Sequence, residues 1–265
     1  MSSSDPDQIY REAMPGQPWR ERRRALLSLF ESIEPRYDRL NRCLSLGIDQ
    51  RWRRWAIRSI ETEAPGPWLD VASGTGDLAA FAEDRLRSEG RALVRSDLSG
   101  FLLGVGRGKL RDRAAGRDGS QADVPTAPHS GVAAEMDRLP FAAAAFAAVI
   151  QGFALRHCED YLGFFRELHR ILRPGGQVAI LDMRYPKDGF GSGFYRFYFG
   201  RVLPTVAGWL GADRGAYQFM VDSVVSLPPE DVLVAALREA GFERAESRRG
   251  FLGAVHLLVA WRPPR

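Results

Sequence analysis

Leu69-Asp70-Val71-Ala72-Ser73-Gly74-Thr75-Gly76-Asp77 is the stretch on which the reading of the chain turns. An apolar run enters a turn with two glycines, and an acidic residue stands where a helix would begin. Glycine is needed where backbone takes a left-handed conformation or approaches a ligand closely, and a helix start adds free N–H donors. Asp97 falls twenty-one residues after Gly76, just past a second apolar run, where a carboxylate can accept from both hydroxyls of a ribose. A dinucleotide fingerprint would carry a third glycine, but Ala79 stands at its place. Asp70 before the turn and Asp77 after it would repel a pyrophosphate. They suit a ligand with positive charge, such as the ammonium and sulfonium of S-adenosylmethionine. On the plainer account Asp77 is only a favourable first-turn charge. The candidate cofactor residues are therefore Asp70, Gly74, Thr75, Gly76 and Asp97. Glu135 and Met136 join them after a third strand pattern: the carboxylate can accept from an adenine amino group and the thioether can pack on the ring.

Outward from the turn, strand and helix patterns alternate. Strands are expected at Trp68 to Ala72, Ala92 to Ser96, Val132 to Ala134, Phe146 to Ile150, Gln177 to Met183 and Phe251 to Trp261. Helices are expected over 77–89, 99–113, 159–172 and 229–240, the third ended by Pro174-Gly175-Gly176. Such alternation predicts a doubly wound, mostly parallel sheet with helices on both faces. Upstream, 1–20 reads as a flexible arm and 21–62 as a helical cap, followed by Pro65-Gly66-Pro67. The Gly-, Asp-, Ser- and Pro-rich segment 114–130 reads as a surface loop. Residues 186–226 break the rhythm with nine aromatics, among them Phe190, Tyr195, Trp209 and Phe219, and read as a lid inserted after strand five. One domain over 21–265 is expected, since a domain rarely exceeds about 250 residues.

Composition excludes several classes. A 45% hydrophobic and 26% charged chain of 265 residues is an ordinary globular protein, neither disordered nor fibrous. The most apolar window, Leu139 to Leu155, is broken by Pro140, Gln151 and Gly152, so no membrane-spanning helix is expected. The start MSSSDPDQ is polar and acidic, unlike a secretory signal. Cys43 and Cys158 alone make no disulfide scaffold and no zinc spacing, so a cytoplasmic setting is expected. Net charge is +4, and residues 1–60 carry 12 arginines against 8 acids. That surplus can meet anionic lipid or phosphate, or be no more than a solvated helix face.

Further runs carry a resemblance. They are Phe30 to Asn41 (FESIEPRYDRLN), Leu44 to Asp49, Trp52-Arg53-Arg54, Arg138-Leu139-Pro140-Phe141, Phe153-Ala154-Leu155-Arg156-His157, Leu172 to Gly176, Leu203-Pro204 and Ala216-Tyr217. Over about residues 29 to 260 the chain resembles the ubiquinone/menaquinone biosynthesis C-methyltransferases. The resemblance implies a class I S-adenosylmethionine-dependent methyltransferase fold with seven strands. It implies cofactor contacts at Thr75, Asp97, Glu135 and Met136, and at Gly152, where the family usually has Ser. It also suggests that Tyr37, Asp38 and Asn41 close over the site. The chain departs from the pattern at Ala147, at Ala154 and His157 (usually Gly and Asn), at Asp182 (usually Glu), and at Leu258, with His256 two residues before it.

Carbon methylation of a quinol needs a deprotonated ring hydroxyl and a methyl group in line with the nucleophilic carbon. Because the donor is already activated, the reaction asks for no metal. Arg156 can stabilise the phenolate. His157 can take the proton or orient Arg156 or the substrate oxygen. Tyr37 can touch substrate or pack. The expected substrate is a prenylated quinol, demethylmenaquinol before a ubiquinol precursor, with transient contact at the inner membrane face and room for a homodimer. Another aromatic or polyketide-like acceptor, and a non-catalytic partner in a quinone-biosynthesis complex, are the alternatives. A nucleic-acid partner is not expected, because Gln151-Gly152-Phe153-Ala154 lacks the acid-and-proline motif of adenine methylation and neither cysteine adjoins a proline.

Overall fold

The computed structural model describes residues 17–18, 20–31, 47–118, 131–184, 214–250 and 253–264. Tyr37, Asp38, Asn41 and Cys43, the aromatic run from Phe190 to Trp209, and loop residues 119–130 lie outside them. In chain order the elements are α1 (20–31), α2 (Asp49–Arg58), β1 (Trp68–Val71), α3 (Asp77–Ser88), β2 (Leu93–Asp97), α4 (Gly100–Asp118) and β3 (Gly131–Ala133). Then come β4 (Phe146–Gly152), a 3-10 turn (Leu155–His157), α5 (Tyr161–Ile171), β5 (Leu172–Met183), α6 (Arg214–Val225), α7 (Glu230–Glu239), β6 (Arg244–Gly250) and β7 (Val255–Trp261).

The seven strands lie in the order β3-β2-β1-β4-β5-β7-β6. β1 runs parallel to β2 and β4, β2 to β3, and β4 to β5. β7 is antiparallel to β5: Arg262 N donates to Gly176 O (2.9 Å) and Arg184 N to Ala254 O (2.8 Å), so partner numbers fall as those of β5 rise. The central strands are buried on both faces, which is why β1 (WLDV) and most of β4 (FAAVIQG) show no polar alternation. The strand order reverses at β1. A crevice forms outside the carboxyl ends of strands at such a reversal, and ligands bind there.

The structure corrects three of these expectations. β5 starts at Leu172 and not at Gln177: Phe146 pairs with Leu172 but Ala148 pairs with Gln177, so Arg173-Pro174-Gly175-Gly176 is absorbed as a bulge. A β-carbon on Gly176 would lie 2.7 Å from Arg173 O and 3.0 Å from Ala147 O, so this bulge requires glycine. β6, with sequence RAESRRG, is a strand among polar residues. Helix α4 continues to Asp118, past the expected start of the loop at 114.

The chain divides into two compact units. One comprises residues 1–52, 182–228 and 249–256; within it Ala25, Leu26 and Leu29 of α1 bury Phe219 of α6, and Phe30 packs against the cluster. Phe219 is thus a core residue. The other comprises residues 53–181, 229–248 and 257–265 and holds most of the sheet. In it the end of α2 is tied down on two sides. Arg85 Nη1 donates to Ile57 O (2.9 Å) and Ile60 O (2.8 Å) from α3. Gln177 of β5 donates to Ser59 O (2.8 Å) and accepts from Glu61 N (2.6 Å).

Candidate active site

The glycine turn lies beyond the carboxyl end of β1. Gly74 and Gly76 have φ of 53° and 81°, conformations that glycine adopts without steric cost. Ala72, at φ 53°, is in the same region without that freedom. Ser73 N donates to Ser96 O (2.9 Å) and Gly76 N to Ser73 O (2.9 Å), which closes the turn against β2. A β-carbon on Gly74 would meet nothing within 4 Å. Among the described residues the Gly74 backbone is therefore uncovered on that side.

Both predicted acids border that space. Asp97 accepts from Gly74 N through Oδ2 (2.7 Å) and from Ser99 N through Oδ1 (2.8 Å). Each oxygen keeps a second lone pair. Burial pushes the Asp97 pKa up, and the backbone N–H groups of Ser99 and Gly74 pull it back. Asp70 is fully buried; Oδ2 accepts from Ser73 Oγ (2.7 Å), while Oδ1 has no hydrogen-bond partner among the described residues. Burial raises its pKa to about 7, against the lowering effects of the Ser73 hydrogen bond and the Arg95 and Arg53 charges. A buried carboxylate oxygen without a partner fits the cationic end of adenosylmethionine.

That pKa sets a pH dependence. Folded Asp70 keeps its proton up to about pH 7, whereas an exposed aspartate releases it near about pH 3.9. Between those limits the folded state binds more protons, so stability of the ligand-free protein falls as pH rises through the window. A cation beside Asp70 favours the carboxylate. Adenosylmethionine affinity is therefore expected to rise up to about tenfold per pH unit towards pH 7, then level off. Calorimetric titration across this range, with Asp70→Asn as control, checks this; an equal slope in the variant would assign it elsewhere.

Around the turn, Thr75 is buried, and Glu135 and Met136 follow β3 in a tight turn in which Arg138 N donates to Glu135 O (3.2 Å). Met136 Sδ lies 3.9 Å from Gln151 Nε2, so the loop after β3 reaches the end of β4. Gln151 is fully buried and its Oε1 has no partner among the described residues. At Gly152 a β-carbon would lie 3.3 Å from Leu78 Cδ2 and 3.7 Å from Arg53 Nη1. Leu78 therefore crowds the place where the resemblance leads one to expect serine. Phe153 follows at φ 61°, a left-handed conformation that costs a bulky residue about 1–3 kcal/mol and often marks functional sites. Arg156 and His157 are buried in the 3-10 turn that follows, where His157 N donates to Ala154 O (3.0 Å). Cys158 is buried.

Three residues at the site have no role assigned by the sequence motifs. Arg95, paired in register with Asp70, is 2% exposed and donates through Nη2 to Leu103 O (3.1 Å). Gly106 of α4 makes room for it: a β-carbon there would strike Arg95 Nη1 and lie 2.9 Å from the Thr75 carbonyl carbon. Arg53 stands over the Phe153 ring, 4.8 Å from its centroid, with Nη2 3.7 Å from Asp77 Oδ2. Only burial distinguishes these residues from surface arginines and helix glycines.

A reversed sheet order, a glycine turn open to a ligand and two buried acids beside it define a class I S-adenosylmethionine-dependent methyltransferase. The chain belongs to the ubiE/COQ5 methyltransferase family, whose model matches residues 19–262. Among similar proteins is a demethylmenaquinone methyltransferase of Thermus thermophilus, 36% identical over 86% of this chain and 98% of its own length. A ubiquinone/menaquinone biosynthesis C-methyltransferase UbiE of Geotalea daltonii is 34% identical over 88% of this chain and 94% of its own. Two solved structures share the fold. The CMeT domain of the citrinin polyketide synthase has TM-score 0.59 at 16% identity, covering 98% of this chain and 66% of that one. Haemonchus contortus phosphoethanolamine N-methyltransferase 2, in complex with S-adenosylhomocysteine, has TM-score 0.51 at 15% identity, covering 80% and 52%.

Proposed function

We propose that the protein methylates a ring carbon of a prenylated quinol, with demethylmenaquinol as substrate and menaquinol as product. The observation that carries this is the match to a demethylmenaquinone methyltransferase over 98% of that protein's length. The buried Arg156-His157 pair beyond β4 supports it. A ubiquinol precursor is the second reading, favoured by the double name of the Geotalea daltonii relative.

Adenosylmethionine supplies a methyl group already activated on a sulfonium. Asp97 holds the ribose, Asp70 faces the positive end, and Glu135 and Met136 hold the adenine. Gly74, Thr75, Gly76 and Gly152 bring backbone close. Arg156 stabilises the phenolate left when a ring hydroxyl gives up its proton. His157 accepts that proton or orients the oxygen. Adenosylmethionine held by these residues would give its methyl group to the ring carbon and would leave as S-adenosylhomocysteine. The carbon's hydrogen then departs as a proton and the ring regains aromaticity. Tyr37, which lies outside the described residues, is assigned to the acceptor by the family resemblance alone. Because a prenyl tail resides in the bilayer, the protein, as one chain or a homodimer, visits the cytoplasmic membrane face, aided by the basic residues in 1–60. Among the described residues no helix is long and apolar enough to cross a membrane.

Purified protein with adenosylmethionine and chemically reduced demethylmenaquinone in detergent is expected to yield a quinone heavier by one methyl group, read by mass spectrometry. No increment while S-adenosylhomocysteine still binds would overturn the quinol assignment in favour of another aromatic acceptor.

A further inference from the structure

We propose that Arg53 binds the carboxylate of the methionine end of adenosylmethionine, with Asp70 taking the adjoining ammonium. The inference rests on the adenosylmethionine assignment and extends it to a residue on α2.

Asp97, Asp70 and Gly152 lie on β2, β1 and β4, three consecutive strands. A ligand with its ribose on Asp97 that runs across β1 reaches the end of β4 after two interstrand steps, about 10 Å. The thioether chain from ribose to carboxylate is of that order. Near that end Arg53 Nη1 lies 3.7 Å from the place of a β-carbon on Gly152. Two other cations near the turn are placed differently. Arg95 is turned towards α4, with Nη1 against Gly106 and Nη2 bonded to Leu103 O (3.1 Å). Lys109, a third exposed, ion-pairs with Asp77 Oδ1.

The placement of Arg53 is built. Arg85 and Gln177 pin the end of α2 through Ile57, Ser59, Ile60 and Glu61. The Phe153 ring lies under the guanidinium, held by a backbone whose N–H donates to Leu181 O (2.7 Å). Asp77 Oδ2 stands 3.7 Å from Nη2, so this guanidinium already faces carboxylate charge. Arg53 is also 7% exposed, so its charge is poorly screened, and it is among the cations that Asp70 senses. A buried acid on β1 and a buried arginine facing the end of the neighbouring β4 match the two charges of an amino-acid end.

The test is calorimetric binding of S-adenosylhomocysteine and of its decarboxylated analogue, which keeps the amine. Wild type is expected to bind the analogue about 10- to 100-fold more weakly, the worth of one charge-assisted hydrogen-bonded pair. Arg53→Gln is expected to lose that same factor for S-adenosylhomocysteine and nothing for the analogue. Arg53→Lys is expected to recover part of the carboxylate-dependent difference, and thermal unfolding reports whether each variant folds. Equal affinity of wild type for both ligands overturns the proposal without any variant. Equal weakening of both ligands by Arg53→Gln overturns it too, and makes Arg53 a packing residue. Failure of wild type to bind either ligand overturns the adenosylmethionine assignment, and the proposal with it.

Discussion

Asp97→Ala is expected to weaken S-adenosylhomocysteine binding by about two to four orders of magnitude. The carboxylate offers a ribose two acceptor sites, one beyond each backbone N–H that it already serves. A hydrogen bond to a charged group contributes about 1.5–3 kcal/mol, so two lost bonds amount to about 3–6 kcal/mol. At about 1.4 kcal/mol per tenfold this gives the stated range. A second consequence is structural: Gly74 N loses its acceptor and the turn loosens. Asp97→Asn separates the two effects, because the amide keeps one acceptor oxygen and loses the charge. It is expected to fall between wild type and alanine. Calorimetry reads the affinity and thermal unfolding reads the fold. An Asp97→Ala protein that folds and binds within threefold of wild type would remove Asp97 from the ribose.

Arg156→Ala is expected to reduce kcat about 10²- to 10³-fold while leaving S-adenosylhomocysteine affinity unchanged, as for loss of one donor to a developing oxyanion. Arg156 follows the bulky left-handed Phe153 and lies in a short 3-10 turn, so its position depends on the end of β4. A fall in cofactor affinity that matches the fall in rate would assign Arg156 to binding instead. His157→Asn bears on the proton. If the imidazole takes it, the rising acid limb of the kcat profile disappears in the variant, since an amide does not titrate. A profile of unchanged shape makes His157 an orienter of Arg156 or of the substrate oxygen.

The local features of the site are legible in the order of residues. A strand that enters a two-glycine turn requires left-handed backbone, and Gly74 and Gly76 supply it at φ 53° and 81°. The distance from Gly76 to Asp97 is the length of one helix and one strand, so the acid falls at the end of β2 beside the turn. The central strands announce themselves because burial on both faces allows only apolar runs. β6 does not: RAESRRG carries no apolar alternation, and it pairs at the sheet edge beside the unmistakable β7. The early start of β5 is hidden by Pro174-Gly175-Gly176, which reads as a stop but folds as a bulge.

Sequence alone therefore determined the class I fold, the glycine turn and the acids beside it, and the Phe153-Ala154-Leu155-Arg156-His157 run just after β4. Tertiary structure decided the roles of Arg53, Arg95, Gln151 and Gly106. An arginine on a helix or strand carries the same letters whether water or protein surrounds it. The difference arises only when distant elements close over it. Gly106 must be small because Arg95, eleven positions earlier, passes beneath it to reach Leu103 O. Arg53 faces Gly152 because Arg85 and Gln177 hold the end of α2. Short-range backbone requirements are written in neighbouring residues; burial and charge pairing depend on which segments the fold brings together.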